Sequence, residues 1–288
     1  MKSETVSVVI PCYNTHTLLV RTIDSVRAQT FPVAEIIVVD DGSTNPETIR
    51  VLETVGSDVR VVRQPNKGLP AARNAGFREA VGDCVLPLDS DDWLEPDAIQ
   101  KLLLALVEAP NAAFSFCQLQ MEGEKTGILT KEYNFFEQLF LNQLPYCLLI
   151  RKVVWEAIGG YDETMRRGYE DWEFNIRLGA NGNLGVVVRE PLFHYRVAQS
   201  GMLLSTSNKL HHELWSDIRR RHPTTYRLPE LLRLWRYWRR FPSTYPLWAY
   251  FPWLAAAVVL PRSASSWLFR TLRRYSHGNR VAAGRAGQ

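Results

Sequence analysis

The chain has 288 residues, of which 46% are hydrophobic, 11% aromatic and 22% charged, and its formal net charge is +4. This composition excludes a disordered or fibrous chain and leaves one large or two modest globular domains with a substantial core. The four cysteines (Cys12, Cys84, Cys117, Cys147) form no CxxC pair, so neither a zinc knuckle nor a disulfide scaffold is expected, and a reducing compartment suits them best.

The first apolar run, residues 6–10, is too short for the core of a signal peptide and reads as a strand, so export is not expected. Further strands are expected at 35–39, 59–63, 84–88 and 112–117. Helical patterns fill the gaps. Leu18, Leu19, Ile23 and Val26 recur at helical spacing before Phe31-Pro32, Pro70 suits the first turn of a helix, and Ile99, Leu102, Leu103 and Leu106 follow Pro96. Strand and helix in alternation imply an α/β fold with a mainly parallel sheet, and such sheets bind ligands in a crevice beyond the carboxyl ends of their strands. From 118 to 216 the periodicity weakens into loops, a leucine-rich segment at 139–149, a Gly159-Gly160 turn and a helix near 170–178. Residues 1–210 are therefore expected to form one domain.

Residues 211–288 differ in character. From 217 onward there are fourteen arginines and no lysine against Asp217 and Glu230, a net +12 that leaves −8 for the rest, and six of the nine tryptophans lie at 215, 235, 238, 248, 253 and 267. The apolar run 245–260 is shorter than the ~20 residues a spanning helix needs, and Pro246 and Pro252 interrupt it. Arginine and tryptophan flanking such a run suit an element lying on an anionic membrane surface. A helical extension packed on the body, with solvated arginines, explains the same residues. Nucleic-acid binding is not expected beside an acidic body without a recognised motif.

Three of the strand ends are polar. Pro11-Cys12-Tyr13-Asn14, Asp40-Asp41-Gly42-Ser43-Thr44 and Asp89-Ser90-Asp91-Asp92 fall where a crevice would lie. Two carboxylates two residues apart suit Mg²⁺ or Mn²⁺ held together with substrate phosphates, although acidic residues also cap helices. Asp41 can equally belong to a turn, and Arg73, in Gly68-Leu69-Pro70-Ala71-Ala72-Arg73-Asn74-Ala75-Gly76, can face a diphosphate or solvent.

Together with Gly159-Gly160-Tyr161-Asp162-Glu163 and Glu170-Asp171-Trp172-Glu173-Phe174, these segments resemble a family 2 glycosyltransferase of the GT-A fold, over residues 5–200 and in the family's order. The resemblance implies a Rossmann-like nucleotide-diphospho-sugar transferase domain and a nucleotide-sugar donor, a UDP-sugar by family habit with dTDP and GDP open. It also implies Mn²⁺ or Mg²⁺ on the diphosphate and inverting transfer to the hydroxyl of a glycan, glycolipid or small acceptor in glycoconjugate biosynthesis. By motif match, Pro11, Tyr13, Asn14, Asp41, Arg73, Asp89 and Ser90 would line the nucleotide site. Asp91, with Asp89, would hold the metal, and Asp171 would be the catalytic base, with Glu170 as its adjacent rival.

His194, in His194-Tyr195-Arg196, would join the metal or serve structure alone, and Arg196 would screen phosphate charge. The segment 197–207 reads as a flap over the donor or as an ordinary loop. Trp93 and Trp172 sit beside the acidic motifs without an assigned contact. A cytoplasmic protein, peripheral on the inner face of the plasma membrane, is expected. Two other readings stay open: a sugar nucleotidyltransferase, which would need a Gly-rich, basic loop after the first strand, and a catalytically silent GT-A-like scaffold.

Overall fold

The computed structural model describes residues 4–199 and 210–259. The first half alternates β1 (Val6–Cys12), α1 (His16–Arg27), β2 (Glu35–Asp40), α2 (Pro46–Thr54), β3 (Val59–Arg63), α3 (Leu69–Glu79) and β4 (Cys84–Pro87). All seven residues of β1 and all four of β4 are buried, as expected for parallel strands covered on both faces. Gly76 lets α3 lie directly on the sheet, because a Cβ there would come within 2.2 Å of Val9.

Next come β5 (Trp93–Leu94), α4 (Ala98–Glu108), β6 (Ala112–Gly123), β7 (Gly127–Leu129), α5 (Phe135–Gln138), β8 (Leu149–Arg151), α6 (Lys152–Ala157), α7 (Glu170–Ala180) and β9 (Leu184–Val197). The nine strands form one sheet in the order β3-β2-β1-β4-β8-β6-β9-β5, with β7 beside β6. It is more mixed than the sequence suggests. β1–β2, β1–β4, β2–β3 and β6–β9 are parallel, whereas β8 runs antiparallel to β4 and β6, and β5 and β7 are antiparallel to β9 and β6.

The segment expected to be irregular supplies β9 and extends the expected strand at 112–117 into the longer β6 that pairs with it. Its local pattern is obscured because only some β9 residues are buried, Arg189 and Glu190 interrupt the apolar run, and register shifts near Gln118 break the alternation. Two hydrophobic clusters cover the faces of the sheet, one around Val8, Leu19 and Leu102 and one around Val9, Phe77 and Phe114.

The basic extension continues as α8 (His211–Arg221), α9 (Leu228–Trp238), a 3₁₀ turn (Leu247–Ala249) and α10 (Tyr250–Val259). Its apolar residues close a third cluster with the body: Trp215, Ile218, Leu231, Leu234, Trp238, Leu247 and Tyr250 pack with Phe136, Phe140, Trp172 and Ile176. Of the six late tryptophans, Trp215 and Trp238 are buried and Trp248 is exposed; Trp267, most of the expected flap and the last six arginines lie outside the described residues.

Buried Glu137 is the polar anchor of this contact. It accepts hydrogen bonds from the amides of Thr244 (2.9 Å) and Tyr245 (3.2 Å) and from the Tyr250 hydroxyl. Replacing Glu137 with leucine leaves these donors unsatisfied, at about 1–3 kcal/mol for each one kept from water. Calorimetry of Glu137→Leu is therefore expected to show a Tm several degrees lower, at about 2–4 °C per kcal/mol. An unchanged Tm would mean that the Glu137 hydrogen bonds contribute nothing to the stability of this contact.

Candidate active site

The sheet order reverses at β1, which has β2 on one side and β4 on the other, so the carboxyl ends of these three strands border one crevice. Pro11 is buried opposite Val39, while Tyr13 at the mouth is 49% exposed. Asn14 has φ 58°, a left-handed conformation that asparagine tolerates. Its Oδ1 accepts from the amides of Thr44 and Asn45, both at 2.9 Å, and its own amide donates to Ser43 Oγ at 3.1 Å. Asp41 is buried and accepts from Gln64 Nε2 (2.7 Å) and from the amides of Lys67 and Gly68 (2.8 Å each). These two side chains thus hold the loops after β2 and β3 in place.

Arg73 neither points into solvent nor lines an open crevice. It is 1% exposed, with Nη2 on both oxygens of Asp89 (2.8 and 2.9 Å) and Nη1 on Glu170 Oε1 (2.8 Å). Its guanidinium carbon also lies 4.8 Å from the Tyr146 ring centroid and 5.5 Å from that of Tyr161. Burial works against the charge, but the Asp89 and Glu170 carboxylates outweigh it and hold the guanidinium well above its usual pKa. The turn after β4 and the first turn of α7, 81 residues apart in sequence, therefore meet through one cation.

The four residues after Leu88 separate into different environments. The Asp89 amide donates to the Tyr146 hydroxyl at 2.9 Å, and buried Ser90 accepts from Thr15 Oγ1 at 2.7 Å. Asp91 is partly accessible, 3.6 Å from Arg196 Nη1; burial and the neighbouring Asp89 push its pKa up to about 6 despite that arginine. Asp92 is buried, accepting from the Arg196 amide (2.7 Å) and from the Tyr146 hydroxyl, and burial raises its pKa well above the carboxylate range.

Asp89 and Asp91 are hard oxygen donors of the kind Mg²⁺ and Mn²⁺ take, two residues apart in one turn. No group of three or more metal-ligating side chains occurs among the described residues, and a cation on these two carboxylates would need its remaining ligands from elsewhere. His194 is engaged elsewhere: Nδ1 lies 2.9 Å from Glu122 Oε1, Nε2 lies 2.7 Å from Glu95 Oε1, and the ring stacks on Trp93 at 5.0 Å. Both ring nitrogens of His194 thus face glutamates.

The first turn of α7 distinguishes Asp171 from Glu170. Glu170 is buried on Arg73, whereas Asp171 is partly accessible and accepts from Asn142 Nδ2 at 2.8 Å. Burial raises the pKa of both carboxyls; Arg73 offsets part of the rise at each, and Asn142 offsets it further at Asp171. Asn142 is oriented by Gln138, whose Nε2 donates to its Oδ1 at 2.9 Å, and the indole of buried Trp172 donates to the Gln138 carbonyl at 2.6 Å. Sequence reading missed Asn142, Gln138, Tyr146 and Asp92. Only Asp92 carried a signal, as a third acid in an acidic turn.

The profile described as Glycosyl transferase family 2 matches residues 7–176. The putative glycosyltransferase EpsH of Bacillus subtilis (strain 168) is 28% identical over 232 residues, covering 73% of this chain and 66% of EpsH. Chondroitin synthase of Escherichia coli is 29% identical over 185 residues, 62% of this chain and 27% of that protein. Among solved structures, S. aureus TarS 1-349 in complex with UDP-GlcNAc has a TM-score of 0.60 at 20% identity, over 74% of this chain and 65% of that one, a likeness of fold. The matched part of the chain thus spans just under two thirds of EpsH and about a quarter of the synthase.

Proposed function

The chain belongs to glycosyl transferase family 2, and on that footing we propose that it moves a sugar from a nucleotide-diphosphate donor to an acceptor hydroxyl with inversion at the anomeric carbon. The carrying observation is the Arg73 bridge, which ties Asp89, in the turn that would meet the diphosphate, to Glu170, the neighbour of the base. Pro11, Tyr13, Asn14, Asp41 and Ser90 frame the nucleotide side, mostly by fixing its loops. A UDP-sugar is the simplest donor, in keeping with the UDP-GlcNAc held by the similarly folded TarS.

Asp89, kept in orientation by Arg73, and Asp91 would hold Mg²⁺ or Mn²⁺. When bound, that cation supplies charge stabilisation to the departing diphosphate. Asp171 receives the proton of the acceptor hydroxyl as its oxygen bonds to the anomeric carbon, while the bond from that carbon to the diphosphate oxygen breaks and its electron pair leaves with the nucleotide. Glu170, committed to Arg73, keeps the site's charges in register instead of competing for the proton. The acceptor class is the hydroxyl of a glycan, glycolipid or small molecule in envelope polysaccharide or other glycoconjugate synthesis, at the inner face of the plasma membrane. No helix among the described residues is long and apolar enough to cross a membrane.

Thermal shift with a panel of UDP-, dTDP- and GDP-sugars, with and without Mn²⁺ or Mg²⁺, tests the donor site. One nucleotide class is expected to stabilise the protein only with metal, by about 2.7 kcal/mol at a hundredfold excess over Kd. Asp91→Asn should abolish the metal dependence. A shift with no donor sinks the reading, and an equal shift without metal sinks its metal part.

A further inference from the structure

Helix α9 buries Leu231, Leu234 and Trp238 and turns a basic, aromatic surface outward. Arg233, Arg236 and Arg240 follow one another at helical spacing on the side opposite that buried stripe, and all three are exposed. Arg233 is paired with Glu230, but Arg227, Arg236, Arg239 and Arg240 make no ion pair among the described residues. Large apolar side chains flank them: Leu228 is 60% exposed, Tyr237 47% and Phe241 40%, with the Tyr237 and Phe241 rings 5.6 Å apart. Adjoining exposed rings rimmed by charge are the kind of surface that meets a partner or a membrane.

We propose that this face of α9 and the turn after it, centred on Arg236, Tyr237, Arg240 and Phe241, rests on an anionic lipid bilayer. The arginines would meet headgroup phosphates while the rings enter the boundary between headgroups and acyl chains. Lipid is the occupant that suits a surplus of unpaired cations and exposed apolar rings on one face. A protein partner would need a dense acidic counter-surface, and for a nucleic acid the chain offers no recognised binding motif and an acidic body beside the arginines. The turn also reaches the active site. Thr244 Oγ1 accepts from Gln143 Nε2 at 3.1 Å, and the adjacent Asn142 is the residue that holds Asp171. Membrane contact would thus act on a segment next to the catalytic base.

This inference deepens the proposed function by naming the surface on which the enzyme works, and its test is separable from that of the donor site. The full chain is floated with vesicles of phosphatidylglycerol and phosphatidylcholine (30:70) and with phosphatidylcholine alone, beside the double variant Arg236→Ala, Arg240→Ala. The intact chain should float with the anionic vesicles and be released by salt. The variant should bind about fivefold more weakly for each arginine removed, because a basic side chain near an anionic surface is worth about 1 kcal/mol. Both changes are on the surface, so an unaltered Tm checks the fold.

A second variant, Tyr237→Ser with Phe241→Ser, should weaken binding even at low salt, which a purely electrostatic contact would not show. No flotation of the intact chain, equal flotation with the neutral vesicles, or unchanged flotation of both variants would each overturn the proposal. Loss of flotation with donor-induced stabilisation intact refutes the surface and leaves the transferase reading standing. The reverse result refutes the donor site alone.

Discussion

Substituting methionine for Arg73 is expected to cost about 3–5 kcal/mol of folding stability, because it removes one partner of a buried ionic cluster and leaves the other charges uncompensated. Arg73 is 1% exposed and carries three hydrogen bonds to Asp89 and Glu170, so deleting its guanidinium leaves two carboxylates facing each other across an apolar gap lined by Tyr146 and Tyr161. Against a typical stability of 5–15 kcal/mol, this is a large fraction of the whole. Lysine should rescue little, since a single ammonium cannot span two carboxylates as the guanidinium fork does.

Urea unfolding of the two variants measures the loss. If Arg73 served the nucleotide directly, Arg73→Met would instead retain wild-type stability and lose donor affinity. A stability loss below about 1 kcal/mol would therefore reject the bridging role. The triple change Arg73→Met, Asp89→Asn, Glu170→Gln should recover much of the loss, since it removes the stranded charges along with the cation.

Conversion of Asp171 to asparagine is expected to lower turnover by about 10²–10⁴-fold while leaving donor binding intact, the range general-base catalysis contributes. Near-normal turnover would exclude Asp171 as the base. The pH dependence follows from burial, which raises the Asp171 pKa while Arg73 and Asn142 pull it back. The base works when ionised, so turnover falls with decreasing pH, along an acid limb that sits above the ordinary aspartate range. Asn142→Ala removes one of the groups favouring the ionised form, so it should move that limb to higher pH.

The stability sign is opposite. A carboxyl whose native pKa is raised stabilises the fold at pH below its unfolded value, and that contribution disappears as pH rises through the native value. Above its native pKa the ionised Asp171 no longer adds stability, and Asp171→Asn should then melt no lower than the wild type. A markedly lower Tm would indicate that the carboxylate is structural. Activity and stability are thus expected to move in opposite directions at this position.

Much of the first half of the fold was legible because each element there announces itself locally. The runs that became β1, β2 and β4 are short, apolar and almost wholly buried, β3 is a short β-branched run at the end of the sheet, and Gly68 and Pro70 mark the start of α3. The acidic turns after β2 and β4 were visible for the same reason, and so was the Glu170-Asp171 helix start. β9 was not legible, because a strand that is only partly buried and interrupted by Arg189 and Glu190 has no clean period of two. Its partner β6 supplies the pairing, and a pairing partner leaves no trace in a local window.

What the sequence determined by itself was therefore the alternation of strand and helix, the polar chemistry at the strand ends, and the excess of arginine and tryptophan after residue 210. Which of those side chains face the site was decided only by the tertiary structure. Arg73 was readable as a cation but not as the buried bridge between Asp89 and Glu170, and His194 was readable as a ligand type but not as a ring already held by Glu95 and Glu122. Likewise the late tryptophans Trp215 and Trp238 turned inward onto α5 and α7, while the arginines of α9 stayed outside. The physical reason is common to all three. Residue type and spacing specify what a side chain can bond to, but the partner of a charge or ring tens of residues away is selected by burial, where an unpaired group is expensive and only the folded chain brings its complement within reach.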